Sequence, residues 1–258
     1  MTAHLALTLI TGDPSWASAA VEAGIDRVLV DLERLGKAER QAGRHLRLSS
    51  LHWDDVAAVR AALPAGTLMV RLDPLHDGTR AQVERALELG ADRLMLPYFA
   101  GADEIFRFCD IVAGRVPVVP LIERLSAMRD AERLIAGGRV EEIHVGLNDL
   151  AIDCGLDSHI PLWTSSVVAD LAAQAGRHGL RFGIGGVTDP RCDGLPVDPD
   201  WIIAQQVRLG SRSALLGRHF RAFVGAPDPS RLTASVEAIR ARFRAHCSVE
   251  EPVGSGSA

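Results

Sequence analysis

Several features that would place the chain in a common protein class are missing from its sequence. The four cysteines are widely spaced and include no CxxC pair, which argues against a zinc ribbon or a disulfide framework. Acidic residues outnumber basic ones, for a formal charge of −5, so no general attraction to nucleic acid is expected. No apolar run approaches the roughly 20 residues that span a bilayer, and the first residues lack a secretory-signal pattern. We therefore expect a cytoplasmic protein with reduced thiols and no nucleic-acid or membrane partner.

Two further absences bear on the fold. No low-complexity linker divides the interior of the 258 residues, so the simplest division is one domain over 1–246 and a flexible tail over 247–258. No G-x-G-x-x-G motif follows the first apolar run, which disfavours a Rossmann dinucleotide-binding domain. A hydrophobic fraction of 47%, with 24% charged residues, is sufficient for a large buried core.

Short apolar runs alternate with segments of helical periodicity along most of the chain. The runs lack strict alternation, as expected of parallel strands covered on both faces. The longer segments, such as TRAQVERALELGAD and SSVVADLAAQAGRHG, have the apolar spacing and terminal glycines of amphipathic helices. About eight such units in roughly 250 residues predict an α/β fold of the (β/α)8 TIM-barrel type rather than an open doubly wound sheet. The predicted strands are LALTLIT, RVLVDLE, LMVRLD, RLMLPY, VPVVPLIE, EEIHVGL, RFGIGG and SALLGRHF.

Polar residues stand at the carboxyl ends of several predicted strands, and these ends meet at one mouth of a barrel. Glu123 ends the fifth run and Asp149 follows the sixth, so two acids occupy matching places in neighbouring units; Asp73 ends the third run. Hard divalent cations prefer carboxylate oxygens, so Glu123 and Asp149 predict a metal site. For either acid alone, capping of the following helix is the alternative.

Arg71 and a charged group after the second strand are further candidates. Arg71 can bind a carboxylate through two hydrogen bonds and stabilise charge on an enolate oxygen; a surface salt bridge is the alternative. Asp31 and Glu33 are candidate catalytic acids that orient a water or a substrate group. Arg34 and Lys37 beside them can equally form a solvated charge network.

Histidines and glycines supply less specific signals. His45 and His52 flank the next predicted helix, and the sequence gives no decisive choice between them. His45 is the candidate catalytic histidine, and a metal-bound water or an acid near Asp31 are the alternatives for proton transfer. His144 lies inside the sixth run and is predicted to be a hydrogen-bonded core residue. Gly185 and Gly186 in GIGGV can bring backbone N–H groups to a carboxylate or phosphate, or can simply form a tight turn.

The ordered segments VLVDLE, VRLDP, GADRLMLPYF, VPLIER and EIHVGLNDLAIDCG resemble the HpcH/HpaI aldolase and citrate lyase family. The resemblance implies a TIM barrel in which a divalent metal, Mg²⁺ or Mn²⁺ with Co²⁺ as a further option, holds a 2-oxo acid. By motif position, Glu123 and Asp149 match the metal-binding acids, and Arg71 matches the arginine that contacts the substrate. Gly146 and Asn148, in the last segment, are expected to contact the substrate as well.

The expected function is that of a metal-dependent (class II) aldolase or carbon–carbon lyase acting on a pyruvate- or oxaloacetate-type enolate with an unknown aldehyde or acceptor. The family commonly forms homo-oligomers, and the C-terminal segment PSRLTASVEAIRARFRAHC is a candidate helix for oligomer packing. Arg34 departs from the pattern, because aldolases of the family often carry an acid–base histidine there. Arg124 stands where a small hydroxyl residue is more familiar. An acyl-CoA lyase or thioesterase, or a catalytically inactive metabolite-binding or assembly protein, are the alternatives.

Overall fold

The computed structural model describes residues 4–40 and 49–250 of the chain. Its strands are β1 (Ala6–Ile10), β2 (Arg27–Asp31), β3 (Leu68–Arg71), β4 (Arg93–Leu96), β5 (Val118–Ile122), β6 (Glu142–Val145), β7 (Arg181–Ile184) and β8 (Ser213–Leu215). Each strand pairs in parallel with the next in sequence, and β8 pairs with β1, so the sheet closes into a barrel. The prediction of a (β/α)8 TIM barrel is confirmed.

Helices follow the strands and cover the outside of the barrel. They are α1 (Pro14–Glu22), α2 (Lys37–Arg40), α3 (Trp53–Ala61), α4 (Thr79–Glu88), α5 (Ala102–Val112), α6 (Leu125–Arg129), α7 (Ala131–Ala136), α8 (Leu147–Asp153), α9 (Ile160–Trp163), α10 (Ser166–Arg177), α11 (Pro199–Arg208), α12 (Arg218–Val224) and α13 (Pro229–Glu250). None of them is long and apolar enough to cross a membrane. All four cysteines are free thiols, as expected.

One predicted strand ends earlier than its apolar run suggests. In SALLGRHF, β8 includes only Ser213–Leu215, and the arginine, histidine and phenylalanine begin α12. The break occurs at Gly217, whose N–H donates to the carbonyl of Val187 at 2.7 Å. A Cβ on Gly217 would lie 3.4 Å from that carbonyl oxygen, which is an ordinary van der Waals contact, and φ of Gly217 is −66°, so this turn does not require glycine.

The C-terminal helix α13 continues past the predicted domain boundary at 246 and ends at Glu250. Its apolar face packs on the barrel of the same chain, against α1 and α11. That face has the spacing of a helix and consists of the buried residues Leu232, Val236, Ile239 and Phe243. Arg240 adds an ion pair to Asp26, with 2.7 Å between Nη2 and Oδ2. Use of this helix in an oligomer stays a prediction.

A small apolar cluster fills the middle of the barrel and positions the polar residues above it. The cluster contains Leu29, Met69, Met95, Val119 and Leu121. Successive side chains on a strand alternate between its two faces, so the residue two positions after each of these lies on the same inner face. Asp31, Arg71 and Glu123 are such residues at the carboxyl ends of β2, β3 and β5.

Candidate active site

Asp31 and Arg71 form a bidentate ion pair at the mouth of the barrel. They are direct partners in the β2–β3 register. Nε of Arg71 donates to Oδ1 of Asp31 at 2.8 Å, and Nη2 donates to Oδ2 at 2.6 Å. Burial raises the pKa of Asp31, but the charge and hydrogen bonds of Arg71 outweigh it and hold that pKa well below its ordinary value. Arg71 is therefore part of a buried network rather than a surface salt bridge.

Glu33 is buried beside this pair and is held by two cations. Nζ of Lys37 donates to Oε2 of Glu33 at 2.7 Å and lies 3.4 Å from Oδ2 of Asp31. Nη2 of Arg40 donates to Oε1 of Glu33 at 2.5 Å. Lys37 is the only lysine of the sequence and is 5% exposed, so a solvated charge network does not describe it.

The loop that follows Glu33 is ordered by Asp73. Oδ1 of Asp73 accepts the backbone N–H groups of Arg34 at 2.7 Å and of Leu35 at 2.8 Å. The Arg34 side chain is exposed, and its Nη2 lies 3.0 Å from Nε2 of His52, which precedes α3 as its N-cap residue. His45 lies outside the described residues.

The two predicted metal ligands lie on neighbouring units of the barrel and influence each other. Glu123 directly follows β5, and Asp149 lies in the first turn of α8 after β6. They are 3% and 5% exposed. Burial raises the pKa of Glu123 well above its ordinary value, and the charges of Glu33 and Asp149 raise it further. Repulsion among these three buried carboxylates therefore disfavours the ionised form of Glu123.

Glu123 is not the cap of the helix that follows it. The backbone N–H of Leu125, the first residue of α6, donates to Asp153 at 2.7 Å. Oε2 of Glu123 instead accepts the backbone N–H of Tyr98, after β4, at 3.1 Å. A Cβ at Gly146 would lie 2.5 Å from Cγ of Glu123, so glycine at this position makes room for the carboxylate.

The acids at the mouth fit a divalent metal with few protein ligands. Residues 4–40 and 49–250 contain no group of three or more His, Cys, Asp or Glu side chains that is arranged to hold a metal ion. A pair of carboxylates suits Mg²⁺, which usually keeps several waters and takes other ligands from its substrate. A cation beside Glu123 and Asp149 would offset the repulsion that raises the pKa of Glu123.

Two residues of the mouth were not predicted from the sequence. Arg40 lies with Cζ 3.8 Å from the centre of the Tyr98 ring and with Nε 3.6 Å from Oδ1 of Asp149. Tyr98 is the only tyrosine of the sequence, and its φ of +50° is uncommon for a residue with a side chain. The position of Tyr98 at the end of a predicted strand was an available signal. For Arg40, the only signal in the sequence was its spacing of seven residues from Glu33.

The glycine turn after β7 combines a tight turn with an accessible backbone. Gly186 has φ +94°, and a Cβ there would lie 3.3 Å from Cζ2 of Trp163. Gly185 has more space, with Cβ of Leu215 at 3.7 Å from the added atom. Asn148, in the first turn of α8, is exposed. Contact of these residues with a substrate stays a prediction.

The opposite end of the barrel contains a separate buried charge cluster. Glu142, at the start of β6, lies 2.8 Å from Nη1 of Arg27 and 3.5 Å from Nη1 of Arg181. Nε2 of His144 lies 2.8 Å from Oε1 of Glu142, and His144 is fully buried. The prediction that His144 is a hydrogen-bonded core residue is confirmed.

The fold and the mouth together define a class, a TIM barrel with a buried acid pair suited to a divalent cation. The sequence model of the HpcH/HpaI aldolase/citrate lyase family matches residues 7–164, which is more than half of the chain. The chain belongs to this family. No sequence among the curated proteins matches it significantly.

Solved structures with low sequence identity share the fold. A HpcH/HpaI aldolase/citrate lyase family protein from Burkholderia cenocepacia J2315 has a TM-score of 0.66 at 20% identity, covering 86% of this chain and 91% of that one. A HpcH/HpaI aldolase from Desulfitobacterium hafniense DCB-2 gives 0.64 at 16% identity, with 99% and 96% covered. The citrate lyase beta subunit from M. tuberculosis, complexed with oxaloacetate and magnesium, gives 0.64 at 18% identity, with 94% and 98% covered.

Proposed function

We propose that the protein is a divalent-metal-dependent aldolase or carbon–carbon lyase acting on a 2-oxo acid of the pyruvate or oxaloacetate type. The observation that carries this proposal is the burial of two acids, Glu123 and Asp149, on neighbouring units at the mouth of the barrel, where their charges repel each other. The family of the chain and the oxaloacetate and magnesium bound by the M. tuberculosis relative support it. Mg²⁺ or Mn²⁺ is the proposed cofactor.

Glu123 and Asp149 would hold the metal, which as a Lewis acid would stabilise the enolate of a bound 2-oxo acid. Arg71 contributes a second positive charge at the same place. Its Nε and Nη2 are used by Asp31, so Nη1 is the nitrogen that would donate to the substrate oxygen that gains charge. Asp31 fixes the plane of this guanidinium and thereby aims the donor.

Asp31 and Glu33 act as positioning residues in this proposal rather than as proton donors. The low pKa of Asp31 keeps it ionised, so it accepts hydrogen bonds over the whole working pH range. Glu33 fixes Lys37 and Arg40. The backbone N–H groups near Gly146, Gly185 and Gly186 and the side chain of Asn148 would contact the substrate.

Proton transfer is proposed for a histidine of the loop region after β2. His52 is the described candidate, because its ring contacts Arg34, the residue at the position where aldolases often carry histidine. The ring nitrogen of His52 that carries no hydrogen, which depends on the tautomer, could accept the proton and later return it. His45 is the other candidate. Replacing each histidine by asparagine distinguishes the two candidates. Only replacement of the histidine that transfers the proton should slow proton exchange.

The test follows the methyl protons of pyruvate by NMR in D₂O, with the protein and Mg²⁺ or Mn²⁺. Enolate formation exchanges these protons even when the natural acceptor is absent. We expect metal-dependent exchange that is lost in Glu123→Ala and Asp149→Ala. It should be kept in Glu84→Ala, a control acid that is exposed on α4. Full exchange and unchanged metal affinity in both mouth variants would contradict the proposal.

A second candidate function follows from Arg34. Its guanidinium donates to the backbone carbonyl of Leu51 at 2.7 Å, so it anchors a loop where a proton carrier is expected. A metabolite-binding or assembly protein without turnover would show thermal stabilisation by a 2-oxo acid and metal, but no exchange. Turnover of an acyl-CoA ester without pyruvate exchange would instead indicate an acyl-CoA lyase or thioesterase.

A further inference from the structure

The cations at the mouth differ in whether an acid is paired with them. Arg71, Lys37 and Arg40 all form ion pairs with carboxylates of the mouth. Arg124 directly follows Glu123 in sequence but forms no ion pair within the described part of the chain, and its buried Nε has no hydrogen-bond partner there. A buried guanidinium N–H without an acceptor is costly, so this atom is a site where a ligand oxygen would be stabilising.

Tyr98 connects Arg124 to the acid pair. Cζ of Arg124 lies 5.1 Å from the centre of the Tyr98 ring, and Cζ of Arg40 lies 3.8 Å from it. The backbone N–H of the same tyrosine donates to Glu123, and Arg40 reaches Asp149 at 3.6 Å. The guanidinium of Arg124 is therefore next to Tyr98, and Tyr98 and Arg40 are the residues that contact the proposed metal ligands.

The charge balance of the mouth favours a ligand with two negative charges. The buried carboxylates are Asp31, Glu33, Glu123 and Asp149, and the cations, with Arg124 included, are also four. A divalent metal would leave two positive charges in excess. Pyruvate, a monoanion, would neutralise one of them, whereas a dianion would neutralise both. Uncompensated charge in a buried place is unfavourable, so the dianion fits better.

We propose that Arg124 is a specificity residue that binds a second anionic group, a carboxylate or a phosphate-like group, of the 2-oxo-acid substrate. This inference rests on the proposed function. The planar guanidinium would use Nε and one terminal nitrogen for a bidentate contact, while the ring of Tyr98 supports its position. The metal and Arg71 would hold the 2-oxo-acid end, and Arg124 would hold the other end.

The test compares affinities for ligands with and without the second anionic group, by calorimetry in the presence of Mg²⁺. Pyruvate and 2-oxobutyrate are monoanions that lack that group, oxaloacetate and 2-oxoglutarate carry a carboxylate there, and phosphonopyruvate carries a phosphonate. We expect the wild type to bind at least one dianionic 2-oxo acid about tenfold or more tightly than pyruvate. In Arg124→Gln this ratio should fall about tenfold, and Arg124→Lys should restore part of it. Arg129→Gln, an exposed arginine of α6, should keep the full ratio.

The pattern of ratios decides between carboxylate and phosphonate as the preferred group. An unchanged ratio in Arg124→Gln, or an equal loss of affinity for pyruvate and for the dianions, would overturn the assignment of Arg124. If pyruvate and 2-oxobutyrate bind with Mg²⁺, lose binding in Glu123→Ala, and bind the wild type as tightly as the dianions do, this inference alone fails. If none of the ligands binds to the wild type with metal, the proposed function fails with it.

Discussion

The two ends of the barrel both contain buried charges, but the charges are arranged differently. At the amino-terminal end one acid, Glu142, is surrounded by donors, with Arg27 and His144 both at 2.8 Å. Burial opposes its ionisation, but the hydrogen bond and charge of His144 and those of Arg27 hold the pKa of Glu142 well below its ordinary value. At the mouth, Glu123 faces other acids, and its pKa is raised.

This difference distinguishes a structural cluster from a candidate site better than burial does. Both ends are buried, and the apolar cluster around Leu29 and Met69 separates them. Glu142 already has its cations within the chain, so that end needs no ligand. The acids around Glu123 still repel one another in spite of Lys37 and Arg40, so an added cation would stabilise that end. Perturbed acids without sufficient partners are typical of functional sites.

The largest expected effect is a difference in the free energy of unfolding between variants at the two ends of the barrel. Glu142→Gln removes the charge that compensates buried Arg27, so the free energy of unfolding should fall by about 3–5 kcal/mol. Glu123→Gln relieves repulsion among acids, so without metal at neutral pH it should leave that free energy unchanged or raise it. Urea unfolding followed by circular dichroism measures both. A comparable loss in the two variants would show that both ends are structural.

Two glycines offer a matched steric comparison of the ends. A Cβ at Gly183 would lie 2.6 Å from Nδ1 of His144, and one at Gly146 would lie 2.5 Å from Cγ of Glu123. Gly183→Ala should therefore destabilise the fold by about 1–3 kcal/mol through overpacking. Gly146→Ala should mainly weaken Mg²⁺ binding, because it displaces a proposed ligand. Gly185→Ala, where the nearest atom lies at 3.7 Å, is the control.

Thermal melting and Mg²⁺ titration of these three variants give the comparison. The expected pattern is a lowered melting temperature in Gly183→Ala and weakened metal binding in Gly146→Ala. Gly185→Ala should melt and bind metal like the wild type. Metal affinity that is unchanged in Gly146→Ala would argue that the carboxylate of Glu123 does not need its present position.

The barrel was predictable from the sequence because its signals are local. Each strand is a short apolar run, and several runs end in a polar residue, so Asp31, Arg71 and Glu123 could be placed at one mouth from the sequence alone. The end of β8 was harder to predict, since it depends on the hydrogen bond between Gly217 and Val187, a residue that follows the neighbouring strand β7.

The pairing of charges was not predictable, because it depends on side-chain geometry across the barrel. The sequence alone also allows Arg71 to form a salt bridge on the surface. Only the register of β2 and β3 shows that Arg71 lies beside Asp31. Lys37 and Arg40 follow Glu33 on a charged segment. Its sequence is equally consistent with a solvated helix and with a buried charge network. Tyr98 binds Glu123 through its backbone N–H. The type of a residue does not indicate which hydrogen bond its backbone makes.

Lowering the pH should remove most of the difference between wild type and Glu142→Gln. Because the folded pKa of Glu142 is depressed, its ionised form contributes stability that is fully present above the unfolded pKa of about 4.3. That contribution is lost as pH falls through the window below 4.3 towards the folded pKa. The gap in unfolding free energy should be constant from about pH 7 to 5.5 and narrow below about pH 4.3.

Comparison of the two proteins at each pH cancels the titration of the shared groups that lie away from Glu142. Urea unfolding at matched pH values therefore reports on Glu142 together with its contact to His144. A gap that stays flat down to the acid limit of folding would mean that the cost of the substitution lies in packing and not in charge.

The smallest effect is expected for an ion pair that belongs to neither end. Arg115 makes two hydrogen bonds to Glu84 on the outside of the barrel, at 2.6 and 2.8 Å, with better geometry than Arg181 has towards Glu142. Both partners are well exposed, so water and salt screen them, and side-chain ordering offsets the attraction. Glu84→Gln should leave the melting temperature unchanged within error at physiological salt. A loss like that of Glu142→Gln would mean that hydrogen-bond geometry, rather than the burial of uncompensated charge, determines what these pairs contribute.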